Sequence, residues 1–288
     1  MKKNALATLS FICYTAVALA QAPAQVNKVI EAEDAFNKLV ARKGIKAGFL
    51  AVADPEGIVF KPKVVKITDF YEGVDKQPGT LQWTPKIARI SYDGDLAFTA
   101  GPYIYQNGKN EDDKVFGDYV SIWHADGDGK LKLLVDAGIQ HPEAEKEATT
   151  DFKEPDASKK PVKNKDPFNG KNIILATDKT LNQALTISSL GAYKEFLSAE
   201  GRYYFPGFEP MMGTDQVLKF LNNEAITISA ETISGGRSTS NDLAYSYGRA
   251  RIKKGEIVAN YNYVRIWELD PAKHTWNILL EVFSAIEN

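Results

Sequence analysis

After the first twenty residues, apolar positions recur at helical spacing, and Val26, Val29, Ala32, Phe36, Leu39 and Val40 fall on one face. A second run of this kind, Leu181, Ala184 and Leu185 followed by Tyr193, Phe196 and Leu197, predicts another helical stretch with a break near Gly191. A short helix is predicted after each: Thr214 is placed to cap the Val217, Leu218, Leu221 stripe, and Thr68 a shorter turn through Phe70 and Tyr71. Beyond these helices the pattern changes to strand and turn. Strands are predicted over 96–105, 116–124 and 130–139, and again over 243–252, 257–269 and 275–286. Asp126-Gly127-Asp128-Gly129 and Asp270-Pro271-Ala272-Lys273 occupy equivalent hairpin turns.

The same landmarks occur twice in the same order. Gly44 and Phe49-Leu50 return as Gly191 and Phe196-Leu197, Glu56-Gly57 as Glu200-Gly201, and Thr68-Asp69 as Thr214-Asp215. Asp95-Leu96-Ala97, with Gly101 after it, returns as Asp242-Leu243-Ala244 with Gly248. Tyr119-Val120-Ser121-Ile122-Trp123 returns as Tyr263-Val264-Arg265-Ile266-Trp267, and the strand acid Asp136 as Glu281. An ordered series at near-constant offset is the signature of a tandem duplication.

Two further segments frame the repeats. Lys2 and Lys3 precede an apolar stretch from Ala5 to Ala20 ending in Ala18-Leu19-Ala20, the order of a cleaved signal peptide, so residues 1–20 are expected to be removed on export to the periplasm or the medium. Between 142 and 171, charged and small residues crowd together with Pro142, Pro155, Pro161 and Pro167, which reads as a solvated linker. The expected plan is a first domain over 21–141, the linker over 142–171 and a second domain over 172–288.

Composition then removes function classes. With 35 Lys plus Arg against 37 Asp plus Glu, the formal charge of the 288 residues is -2, and loss of Lys2 and Lys3 leaves 33 against 37, or -4. That balance gives no footprint for nucleic acid or an anionic membrane, and neither is expected as a partner of the processed chain. The single cysteine, Cys13, lies in the signal segment, so disulfides and a Cys-ligated metal are not expected. His124, His141 and His274 show no metal-ligand spacing, and Asp126-Gly127-Asp128-Gly129-Lys130 lacks the later ligands of a calcium loop. No metal or cofactor is expected.

The helix, Ala47-Gly48-Phe49-Leu50 with Glu56-Gly57, Trp83-Thr84-Pro85, the strand from Asp95 to Gly101, and Tyr119-Val120-Ser121-Ile122-Trp123 before a last strand together resemble the SnoaL-like branch of the nuclear transport factor 2-like superfamily, which also contains the ketosteroid isomerases. The second copy keeps the strand half but lacks the tryptophan and proline of the middle stretch. The resemblance implies an α+β fold of two tandem cones, each a curved antiparallel sheet wrapped around N-terminal helices with a pocket at its open end. Its members include binders of small apolar ligands and a minority of enzymes, so fold does not select the activity.

An isomerase of that fold needs a carboxylate base opposite acidic hydrogen-bond donors. Asp136 and Glu281, each flanked by apolar residues, are the candidate acids, and both also read as structural groups paired with an Arg or Tyr. Glu281 is expected to be the one facing a cavity, because tyrosines are denser in its domain. Trp123, Tyr204, Tyr245, Tyr247, Arg249, Tyr263 and Trp267 are the candidate ligand-binding residues, with a packed core and domain interface as the alternative reading. The expected function is an exported, non-catalytic binder of a small apolar or amphipathic molecule. Its rivals are an isomerase- or hydrolase-type enzyme using one of the two acids, or an interaction module in which the two domains pack as a pseudo-dimer.

Overall fold

The structure, a computed structural model, describes residues 23–286 except 76, 157–166 and 271, and only the backbone of 167–170. The expected signal peptide therefore lies outside the described residues, as do residues 157–166 of the stretch read as linker.

The chain runs through α1 (Asn27–Lys43), α2 (Ile45–Val52), β1 (Ala53–Phe60), β2 (Val64–Lys66), α3 (Ile67–Glu72), β3 (Thr80–Trp83), β4 (Ile87–Ile90), β5 (Leu96–Gln106), β6 (Lys114–Ala125), β7 (Leu131–Gln140) and β8 (Asp151–Lys153). It then repeats the order with α4 (Pro167–Ile187), α5 (Ser189–Phe196), β9 (Leu197–Tyr204), β10 (Met211–Met212), α6 (Thr214–Asn223), β11 (Ile226–Arg237), β12 (Leu243–Lys254), β13 (Ile257–Asp270) and β14 (Thr275–Ala285). The fold is α+β, with two sheets and six helices.

Both sheets have one topology. The first runs β2-β1-β7-β6-β5-β4-β8, with β3 also on β5, and the second runs β10-β9-β14-β13-β12-β11. Each contains the same parallel pair, β1 with β7 and β9 with β14, and the first sheet adds a second, β4 with β8; the other neighbours are antiparallel. Even the irregularities repeat. The register against β5 slips by one residue between Trp83↔Tyr103 and Ile87↔Ala100, and against β12 by one between Thr232↔Gly248 and Ser234↔Tyr247. Beneath these bulges sit Gly101 and Gly248, where a Cβ would lie 2.2 Å from the Thr84 carbonyl oxygen and 2.0 Å from that of Glu231. Glycine is required there because the partner backbone already occupies the space.

Several expectations change in detail. The first helix of each repeat breaks at Gly44, whose φ of 87° suits glycine, and at Ser188, whose hydroxyl accepts from the Gly191 amide. Phe49 thus corresponds to Tyr193, not to Phe196. Neither threonine caps its helix: α6 is entered through Gly213 at φ 81° and α3 through Lys66, so Thr214 and Thr68 already lie in the first turn. Part of the stretch read as a solvated linker is structured, since β8 pairs with β4 and Asp151 bridges Arg89 at 3.0 Å and Arg202 at 2.6 Å.

The helices cover one face of each sheet, giving two buried clusters, one with Phe36, Phe49 and Trp123 and the other with Leu181, Tyr193 and Trp267. A third cluster lies between the opposite faces: Phe98, Ile122 and Val135 of the first sheet pack with Tyr204, Ile266 and Val282 of the second. Alternation along β5, β6 and β7 sends every second residue to each core. At the sheet ends the contacts are reciprocal. Asp242 Oδ2 accepts from the Tyr92 amide at 2.7 Å, and Asp95 Oδ2 accepts from the Thr239 amide at 2.8 Å. Each acid also accepts from the serine of its own turn, Ser91 or Ser238, at 2.8 Å. The repeated Asp-Leu-Ala motif therefore sits on a pseudo-twofold contact.

Candidate functional site

In the first repeat the sheet and helices leave a cavity of about 890 Å³, lined by residues including Phe36, Phe49, Val59, Lys61, Tyr71, Trp83, Tyr103, Tyr119, Ser121 and Asp136. Pro206, Ser284 and Ala285 of the second repeat complete its wall. Ser284 Oγ donates to the Gly138 carbonyl at 2.9 Å, the Gly207 amide to that of Gln140 at 2.7 Å, and Asn262 Nδ2 to that of Pro62 at 2.7 Å, so the two repeats are joined beside the cavity.

Asp136 enters the cavity from β7, paired across the ladder with Ser121, whose hydroxyl donates to its Oδ2 at 3.0 Å. Burial pushes its carboxyl up to about 6, against the pull of Ser121 and of Lys61. Behind the wall stands Glu33, fully buried on α1. It accepts from Trp83 Nε1 at 2.5 Å, from Trp123 Nε1 at 3.0 Å and from the Thr99 hydroxyl. Burial lifts it to about 7 against those three donors, and the charge of Asp136 adds to the rise. Tyr105 and three other tyrosines, Tyr71, Tyr103 and Tyr119, line the cavity. Burial raises Tyr71 and Tyr103, the latter to about 12, and holds Tyr119 well above the usual phenol value, with Glu33 adding to the effect. All three are hydrogen-bond donors at neutral pH. The Tyr119 hydroxyl is buried beside Thr99.

The second repeat has the same frame and a filled interior. Register places Arg265 where the first repeat has Ser121, Tyr203 where it has Val59, and Phe283 where it has Gly138. The three larger side chains are all fully buried and occupy the volume left open in the first repeat. Arg265 carries the charge balance. Its Nε donates to Glu281 Oε1 at 2.7 Å, and its Nη1 to Asp178 Oδ1 and Asn182 Oδ1, each at 2.7 Å. The guanidinium carbon lies 4.1 Å from the centroid of the Tyr263 ring. Burial alone would raise Asp178, yet Arg265, Thr232 and Tyr263 hold it below the usual carboxylate range. Glu281 is raised by burial, against Arg265.

The acid facing a cavity is therefore Asp136, and the expectation for Glu281 is corrected: the tyrosines that suggested a pocket around it are the groups that fill one. None of the seven candidate ligand-binding residues lines the cavity. Trp123 lies in the first core and Tyr263 and Trp267 in the second, Tyr204, Tyr245 and Tyr247 pack in or against the cluster between the sheets, and Arg249 is exposed. Alternation found the bulky face of β12 but not which side of the sheet it would meet. The residues that sequence reasoning missed are Glu33 and the tyrosines 71, 103 and 119. Glu33 carried a signal, being a lone acid within an apolar helical stripe whose counterpart, Asp178, stands in the same place. His124 lies 3.2 Å from Asp54 and His141 2.8 Å from Asp118, and among the described residues no group of three potential ligands could hold a metal. No described helix is long and apolar enough to cross a membrane.

No family model and no curated protein matches the chain. Solved structures are similar in fold. A ketosteroid isomerase-like protein from Erwinia carotovora atroseptica is 16% identical with a TM-score of 0.37, over 42% of this chain and 99% of that one. A putative ketosteroid isomerase from Parabacteroides distasonis is 17% identical with a TM-score of 0.34, over 45% and 98%. An NTF2-like protein from Cytophaga hutchinsonii is 16% identical with a TM-score of 0.34, over 40% and 97%. Each likeness covers about two fifths of this chain. The account of the site rests on this chain's own geometry.

Proposed function

We propose that the protein binds a small amphipathic molecule in the cavity of its first repeat, with Asp136 as the polar anchor, and that the second repeat is a scaffold. The observation that carries this is the difference between the repeats: one frame, open in the first and filled in the second by Tyr203, Arg265 and Phe283. A cavity of about 890 Å³ with mixed polar, apolar and aromatic walls and one convergent carboxyl falls in the size range of small-molecule sites. Export rests on the order of residues 1–20 and is part of the same proposal. The test is native mass spectrometry of the full chain, compared with Val59→Tyr, which copies Tyr203 into the first cavity. Wild type is expected to carry a small molecule that the variant has lost. Equal occupancy in both would defeat the reading.

A second reading has support in Asp136 itself. A carboxyl near 6 opposite tyrosine donors is suited to abstract and return a proton at neutral pH, as an isomerase or hydrolase requires. Turnover of the co-purifying molecule separates the two: on this second reading wild type converts it and Asp136→Asn does not, whereas on the first reading wild type leaves it unchanged.

A further inference from the structure

The filled repeat contains a cation where the open repeat has space. Arg265 lies between Asp178 and Glu281 and over the Tyr263 ring. In the first repeat the same ladder positions hold Asp136 for Glu281 and Tyr119 for Tyr263. Glu33 stands in for Asp178, since Glu33 accepts from Thr99 and Asp178 accepts at 2.8 Å from Ser246, and Thr99 and Ser246 face Ser121 and Arg265 across equivalent ladders. Both acids and the tyrosine are retained; the arginine alone is replaced, by Ser121. An acid pair without its cation, beside a buried tyrosine, is an incomplete version of the second core. Lys61 does not complete it, because it acts on Asp136 only through space and its Nζ sits 5.7 Å from the Phe70 ring centroid.

The geometry points to an amphipathic organic cation, an amine or guanidinium on an apolar body, as the molecule of the first cavity, its charged head beside Asp136 where Arg265 places its guanidinium in the second repeat. This rests on the reading of the cavity as a small-molecule site. Asp136 makes the direct contact. Glu33, screened by Trp83 and Thr99, adds its field from behind, and the Tyr119 ring offers its face to the cation. Phe49, Phe60 and Tyr71 line the cavity and receive the apolar body. Tyr71, Tyr103 and Tyr119 stay neutral from pH 5 to 8, so Asp136 and Glu33 are the groups that titrate there, with Lys61 the basic side chain in the cavity wall. A cation is bound more tightly as both acids ionise.

The test uses the full chain and three probes with one rigid apolar body: 1-adamantylamine, 1-adamantanol and adamantane-1-carboxylate, titrated calorimetrically at pH 5 and pH 8. The amine is expected to bind at least tenfold more tightly than the alcohol at pH 8, the carboxylate most weakly, and the amine's advantage is expected to shrink at pH 5. Asp136→Asn should remove that advantage, bringing the amine's affinity to that of the alcohol. Ser121→Arg, which copies the second repeat, should abolish amine binding. If Ser121→Arg does not fold, Asp136→Asn decides. An alcohol or carboxylate bound as tightly as the amine overturns the cation and leaves the pocket reading standing. If no probe binds and native spectra of wild type and Val59→Tyr are alike, both readings fall.

Discussion

At the scale of single residues, two carboxyls and one guanidinium dominate. Asp136 and Glu33 both hold their protons more tightly in the folded chain than in the unfolded one, having risen from 3.8 to about 6 and from 4.5 to about 7. Folding therefore takes up protons between pH 4 and 7, and the corresponding stability, complete below about pH 4, is lost as pH rises through the folded values. Melting temperature is expected to fall across that window, by the equivalent of roughly 3 kcal/mol for each fully buried group. Asp136→Asn should flatten the part up to pH 6 and Glu33→Gln the part up to 7; a wild-type melting temperature that rises across the window refutes the assignment. Arg265 behaves oppositely, as the sole cation between two buried acids. Arg265→Met leaves Asp178 and Glu281 uncompensated and should cost about 3–5 kcal/mol in urea unfolding.

At the scale of elements, the bulges facing Gly101 and Gly248 aim the strands that frame each cone. A methyl group at either position meets a backbone carbonyl near 2 Å, which no rotamer change relieves. Gly101→Ala and Gly248→Ala should each destabilise by about 1–3 kcal/mol. Gly127→Ala, at a turn with nothing within 4 Å, is the control and should melt with the wild type. The reciprocal turn contacts make a separate prediction. Asp95→Ala removes one amide acceptor between the repeats and the Ser91 contact, Asp242→Ala the equivalent acceptor and the contacts with Ser238 and Ser240, and each should cost about 1–3 kcal/mol. Urea unfolding of the two variants should give near-equal losses, as the pseudo-twofold contact requires.

At the scale of the whole molecule, the cluster between the sheets sets cooperativity. Phe98, Ile122, Val135, Ile266 and Val282 are each at most 1% exposed, and burying them requires both sheets. A protease site introduced within 157–166 and cleaved should therefore yield two fragments that co-elute on gel filtration, with the cavity still closed by Pro206, Ser284 and Ala285. Separation of the fragments under native conditions would mean that the shared cluster contributes little. Export makes a prediction of its own: Edman sequencing of the protein from its native host should begin at Gln21.

The sequence by itself determined the duplication, the α+β class, six of the strands and the acid pair Asp136 and Glu281, because these depend on local periodicity and on spacing that a tandem copy preserves. It missed β1 to β4 and β8 to β11, which are short or have an alternation broken by turns and bulges; β11 alternates only from Ile226 to Ala230 before its slip near Ile233. Only the tertiary structure decided which cone is open. Ser121 and Arg265, Val59 and Tyr203, and Gly138 and Phe283 are visible as differences in an alignment of the two halves, but their side chains converge from separate strands, and volume is a property of all of them together. The same holds for Glu33, whose partners Trp83, Thr99 and Trp123 lie 50, 66 and 90 residues away along the chain. A carboxyl's environment is set by what folding brings around it, so its ionisation and its role could be read only once the sheet had closed over the helix.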